Sequence, residues 1–127
     1  HKFILTTDEA QAKSVANYFD FILDTVSAVH DYNFYLGMLT TNGTMVCVGV
    51  PPPVPPVAAF NLIFHRRSLA GSLIGGLPET QEMLDYCAEN NIVSDVEVIA
   101  MKDINEAYER MLKGDVRYRF VIDMATL

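Results

Sequence analysis

The hydrophobic positions along the chain follow two rhythms. Three stretches are apolar almost throughout: FDFILDTV at Phe19–Val26, broken only by Asp20 and Asp24, TMVCVGV at Thr44–Val50, and SLAGSLI at Ser68–Ile74. Continuous apolar runs of this length predict strands buried on both faces of a parallel sheet. Between them the pattern turns helical. Thr6-Thr7-Asp8-Glu9 fits a capping box, with Thr6 as N-cap and a helix reaching about Tyr18. Asp31–Thr40 predicts a weak helix and Val57–His65 another, while Pro78 opens a helix to about Asn90 on which Leu84, Cys87 and Ala88 recur at helical spacing. Ile104, Ala107, Tyr108, Met111 and Leu112 form the strongest amphipathic stripe, opened by the capping pair Asp103 and Glu106 and stopped by Gly114. Lys2–Leu5, Val96–Ala100 and Tyr118–Met124 predict shorter strands, and Asn42-Gly43 a turn.

Strands alternating with helices define an α/β fold with a parallel sheet. After Gly76 the strands are shorter and more polar, which places them in another sheet or at the edge of a second lobe. Five of the six prolines fall within Pro51–Pro56, between a strand and a helix, and predict a rigid connector.

Composition removes several functions. Half of the 127 residues are apolar and a fifth are charged, as expected of a globular chain rather than a disordered one. Sixteen acidic against nine basic side chains give a net charge of −7, the wrong sign for a phosphate-binding surface. No apolar run approaches the ~20 residues that span a bilayer. Cys47 and Cys87 lack metal-ligand or framework spacing and are expected as buried structural thiols, which fits a reducing cytoplasm. His1, His30 and His65 stand apart and are expected on the surface or in caps, not on a metal.

In an open parallel sheet a ligand lies beyond the carboxyl ends of the strands. Three such ends are legible: Asp24-Thr25-Val26-Ser27, Val48-Gly49-Val50 and Ser72-Leu73-Ile74-Gly75-Gly76. Each offers a hydroxyl or a bare backbone, suited to a flat ring that needs close main-chain approach. GSLIGG at Gly71–Gly76 is not GxGxxG, and no Walker A, GxSxG or HExxH sequence is present. Pattern alone stops at an α/β domain with a small-molecule cleft.

The segment SLAGSLIGGLPETQEMLDYCAENNIVSDVEVIAMKDINEAYERMLKGDVRYRFVID, with FDFILDTVSAVH and GTMVCVGVPPP upstream, resembles the C-terminal portion of cinnamyl-alcohol-dehydrogenase-like enzymes. These are zinc-dependent, NADP-linked alcohol dehydrogenases (aldehyde reductases) of the medium-chain dehydrogenase/reductase superfamily. The resemblance implies a partial Rossmann-like parallel sheet at residues 1–90, followed by a C-terminal strand-helix-strand at 91–127 that returns to the catalytic domain. It implies hydride transfer between NADPH and an aldehyde or alcohol, with zinc polarising the carbonyl. On the same basis the glycine turn, the grip on the 2′-phosphate and the zinc ligands are expected upstream of His1, so no catalytic or metal-binding residue is assigned here and the chain alone is expected to be inactive.

Position by position, the resemblance assigns cofactor contacts to Thr25, Val48, Gly49, Ser72, Leu73, Ile74 and Arg119, with Arg117 competing for the last role. It also implies a homodimer joined near Ser68–Ile74. Its strand order leaves Phe19–Val26 as a bare apolar edge, to which either Lys2–Thr6 or a second chain could add. A zinc-free quinone-reductase-like oxidoreductase and a non-catalytic α/β association module remain the alternatives.

Overall fold

A computed structural model describes residues 2–53 and 55–127; His1, expected on the surface or in a cap, and Val54 of the proline run lie outside the described residues. The fold is α/β with parallel pairing throughout, and the chain divides into two compact units, 1–74 and 75–127. The first contains α1 (Glu9–Lys13), β1 (Phe19–Asp24), α2 (Tyr32–Leu36), β2 (Leu39–Cys47), α3 (Ala59–Ile63) and β3 (Ser68–Gly71). Its strands form one sheet in the order β1-β2-β3, so β1 is an edge.

Several local expectations are corrected. The first helix is capped by Asp8, not Thr6: Asp8 Oδ1 accepts the Ala10 and Gln11 N–H groups at 3.0 and 3.1 Å. The helix ends at Lys13, well short of Tyr18. Lys2–Leu5 forms no strand, because the Leu5 N–H is taken by the Gln11 side chain and its carbonyl by Asp8 N–H in a turn.

The Asn42-Gly43 pair lies inside β2 instead of ending an element. Asn42 adopts the expected left-handed conformation (φ 66°) but uses it as a bulge, across which pairing with β1 jumps from Phe19↔Leu39 to Phe21↔Thr44. A Cβ on Gly43 would lie 3.0 Å from Leu39 Cβ and 3.2 Å from Phe19 O, so the residue after the bulge must be small. The extra length of β2 comes from the predicted weak helix, which stops at Leu36. Val57–His65 contracts to α3, and β1, β2 and β3 end before Thr25, Val48 and Ser72.

Leu36, Leu39, Met45 and Tyr32 form the core between α2 and β2, with Ile22, Leu62 and Leu69 packed against it. Sheet burial is less complete than the apolar runs predict, since Phe21 and Leu23 on β1 are more than half exposed. Cys47 and Cys87 are half-buried free thiols, not fully buried ones. Beyond the prolines, the Asn33 side chain donates to Pro56 O at 2.9 Å and accepts from Ala58 N at 2.8 Å and Asn61 Nδ2 at 3.0 Å. It thereby fastens the entry of α3 to α2.

The second unit contains α4 (Leu77–Glu89), β4 (Glu97–Ala100), α5 (Ile104–Leu112) and β5 (Phe120–Asp123). Its two strands form a separate parallel sheet with Glu97 opposite Phe120 and Ala100 opposite Asp123. Pro78 sits in the first turn of α4, where the Gly76 N–H donates to Glu79 Oε2 at 2.8 Å. Asp103 precedes α5 but makes no side-chain cap, and Gly114 ends the segment at φ 71°. No helix among the described residues is long and apolar enough to cross a membrane.

Candidate functional site: the strand-end rim

Parallel pairing decides where the three strand ends go. Asp24 lies opposite Cys47, and Cys47 opposite Gly71, so the residues that follow them leave the sheet at one edge. Thr25, Val48, Gly49 and Ser72 are therefore brought together, and Leu73 and Ile74 extend from the same edge. Hydrogen bonds continue one step past the strands. The Asp24 carbonyl accepts from Val48 N at 2.9 Å and Gly49 N at 3.3 Å, and the Cys47 carbonyl accepts from Ser72 N at 3.2 Å.

Gly49 is required sterically. A Cβ there would stand 2.6 Å from Val26 O, 2.7 Å from Val26 C and 3.0 Å from Thr25 C, closer than any side chain tolerates. The main chains after β1 and β2 are thus in direct contact. Beyond β3, Leu73 and Ile74 are 89% and 90% exposed, and their N–H groups have no hydrogen-bond partner among the described residues. The rim presents main-chain donors, main-chain carbonyls and two small hydroxyl side chains, which suits a planar ring bearing an amide.

Arg119 comes from the other compact unit of the chain. It lies just before β5, where its carbonyl accepts from Glu97 N at 3.0 Å. Its side chain is exposed and borders an open hollow of about 250 Å³ between α5 and its sheet, lined by Ile99, Ile104, Ala107, Phe120 and Ile122 among others. The competitor Arg117 is exposed as well; its N–H donates to Glu97 Oε1 at 2.8 Å, and its guanidinium reaches Asp95 at 3.8 Å.

Two charged centres in the first unit escaped sequence reasoning. Asp24 interrupts an apolar run, yet it is buried and organises the rim. Its Oδ1 accepts the Val26 N–H at 3.0 Å, and its Oδ2 lies 2.9 Å from His30 Nε2. The backbone carbonyl of Ala28 beside Nδ1 lifts the His30 pKa above its ordinary value; burial opposes this and the Asp24 carboxylate adds to it. The signal that would have found the pair is an acid closing a strand with a histidine six residues on. Arg67 is also buried. It donates to Leu39 O through Nε at 3.0 Å and Nη2 at 2.6 Å, and to Asn17 Oδ1 at 2.7 Å, tying the start of β3 to β2. Burial lowers its pKa. Nothing in its sequence context separates it from Arg66.

Among the described residues no three His, Cys, Asp or Glu side chains converge as a metal site. These residues do not fit a zinc centre, whereas the rim fits the carboxamide end of a nicotinamide cofactor.

A family model described as zinc-binding dehydrogenase matches residues 3–89. The chain is 59% identical over 110 residues to the aldehyde reductase YahK of Escherichia coli K12, covering 86% of this chain and 32% of that protein. Among solved structures, it is similar to the cinnamyl alcohol dehydrogenase SbCAD4 of Sorghum bicolor. There the TM-score is 0.89 at 41% identity, over 97% of this chain and 35% of that one. A cinnamyl alcohol dehydrogenase from Helicobacter pylori, solved in complex with NADP(H), gives 0.76 at 39% identity over 90% and 34%. The chain spans about a third of the length of the relatives it matches. With more than half its residues inside the family model and its fold reproduced in these enzymes, the chain belongs to the zinc-binding dehydrogenase family.

Proposed function

We propose that this chain supplies the nicotinamide side of the coenzyme site in an NADP-linked alcohol or aldehyde oxidoreductase. The observation that carries the reading is the convergence of Thr25, Val48, Gly49 and Ser72 on one sheet edge, continued by the N–H groups of Leu73 and Ile74, which have no partner among the described residues. NADPH supplies the hydride for such a reaction. The residues of this chain do the holding: the main chain of 72–74 binds the carboxamide, Gly49 and Val48 border the ribose, and Thr25 limits the ring from the β1 side. Arg119 is assigned to the cofactor pyrophosphate in the complete enzyme.

In this reading residues 1–90 are part of the nucleotide-binding domain and 91–127 a segment of the catalytic domain, supported by a family match that ends at residue 89. Zinc acts in the complete enzyme through ligands other than those described. The two free thiols support a reducing, cytoplasmic setting, and Ser68–Ile74 is the proposed dimer contact.

A chimera tests the proposal. The segment of the E. coli aldehyde reductase that matches this chain is replaced by it, and NADPH-dependent reduction of an aldehyde is measured. Turnover is expected from the chimera, with a raised KM for NADPH on Gly49→Val, and none from the 127-residue chain alone with zinc added. A folded chimera without NADPH-dependent turnover, or turnover by the isolated chain, contradicts the proposal.

A further inference from the structure

The segment between β1 and α2 is closed by one side chain, and that side chain sits between two acceptors. His30 Nδ1 lies 2.7 Å from the Ala28 carbonyl oxygen, and Nε2 lies 2.9 Å from Asp24 Oδ2. Neither partner can donate: one is a main-chain carbonyl and the other a carboxylate whose second oxygen already accepts from Val26. A neutral imidazole has one N–H and one lone pair, so it satisfies only one of these contacts; the imidazolium satisfies both. The pair is largely shielded from water, with 13% of the His30 side chain and 6% of that of Asp24 exposed.

We propose that His30, held as the imidazolium between Ala28 and Asp24, is a positioning residue that locks the 25–30 segment and through it the rim around Gly49. The path is short and contiguous. His30 fixes the Asp24 carboxylate, which holds the Val26 N–H, and the Val26 carbonyl lies where a Gly49 side chain would be. The Asp24 carbonyl meanwhile carries the Val48 and Gly49 amides. Loss of the second proton costs the contact to Ala28, because the charge-assisted bond to Asp24 is the stronger of the two.

Asp31 adds an attractive charge at His30 from the start of α2. Tyr32 and Tyr35 place their rings 5.0 and 5.6 Å from the imidazole, and burial beside Cys47 raises the Tyr32 pKa, so that hydroxyl stays neutral. Acidic groups and rings favour the cation.

The inference concerns the same rim as the proposed function but is tested without cofactor. In the isotope-labelled chain, the His30 ring nitrogens and the amides of Val26, Val48 and Gly49 are followed by NMR from pH 5.5 to 9. Expected are two protonated ring nitrogens at pH 6.5, a midpoint above the ordinary 6.5, and rim amides that shift with the same midpoint. In His30→Gln the amide inflection disappears. A neutral ring at pH 6.5, or rim amides that stay flat while His30 titrates, overturns the proposal even if the variant does not fold. Adding NADPH at pH 6 and pH 9 separates the two readings. Rim coupling without NADPH shifts refutes the cofactor assignment alone, and NADPH shifts without coupling refute the role of His30 alone.

Discussion

The two units of this chain are stabilised in different ways. Residues 1–74 bury Val15, Leu36, Met38, Leu39 and Met45 around a three-stranded sheet, whereas among the described residues of 75–127 only Ala107 is a buried hydrophobic. Leu77, Val93 and Leu112 stand open in the second unit, and its sheet has two strands. Arg110 on α5 links groups of β4, β5 and the turn after α5 in that unit. It donates to Glu97 Oε2 at 2.8 Å and Asp115 Oδ2 at 3.0 Å, and its guanidinium lies 4.8 Å from the centre of the Phe120 ring. A packed core fixes backbone geometry, and a polar hub on two strands does so weakly. A rim made of main-chain groups needs the first kind of support, and it is built on the first unit.

The largest effect that sharpens the contrast is Leu36→Ala, expected to cost the first unit about 2 to 5 kcal/mol through cavity formation. Leu112→Ala in the second unit is expected to change stability by less than about 0.5 kcal/mol, because its side chain is already in water. Urea titrations read from resolved NMR signals of each unit compare the two; equal losses would break the distinction.

Gly49→Ala comes next. Its Cβ must displace the Val26 main chain, and overpacking of this kind costs about 1 to 3 kcal/mol. The expected signature is an altered set of Thr25, Val26 and Val48 amide shifts with the second unit unchanged. An unaffected rim would show that the close approach is not a constraint.

The smallest effect is an acid response of the second unit. Hydrogen bonding by the Arg117 N–H, then by Arg110, pulls the Glu97 pKa below its ordinary 4.5. A lowered folded pKa means the contribution is complete above 4.5 and fades as pH falls through the lowered value. Amide exchange in β4 and β5 should therefore accelerate selectively below pH 4.5, and Arg110→Met should produce the same acceleration at neutral pH. Exchange that ignores both changes would remove Arg110 from its place as the hub.

How much of this was legible in the sequence follows the same division between local and distant causes. β1, β3, α4 and the stop at Gly114 were read nearly in place, because apolar runs, Pro78 and a left-handed glycine act locally. Asn42-Gly43 was read as a turn because the pair favours positive φ wherever it occurs; only pairing with β1 makes it a bulge. Thr6 lost the cap to Asp8 because the Leu5–Asp8 turn sets where the helix begins. Strand ends were legible as candidates, but their alignment at one edge needed the register Asp24↔Cys47↔Gly71. Arg67 was invisible, since its partners Asn17 and Leu39 are brought close only by the folded main chain, whereas the Asp24–His30 pair left one local trace, an acid closing a strand with a histidine six residues on.

The most direct test is titration of the isotope-labelled 127-residue chain with NADPH, followed by amide shifts. The account predicts weak, millimolar binding whose largest changes fall on Val48, Gly49, Ser72, Leu73 and Ile74. Saturable changes confined to other residues, or none at tens of millimolar, would contradict it.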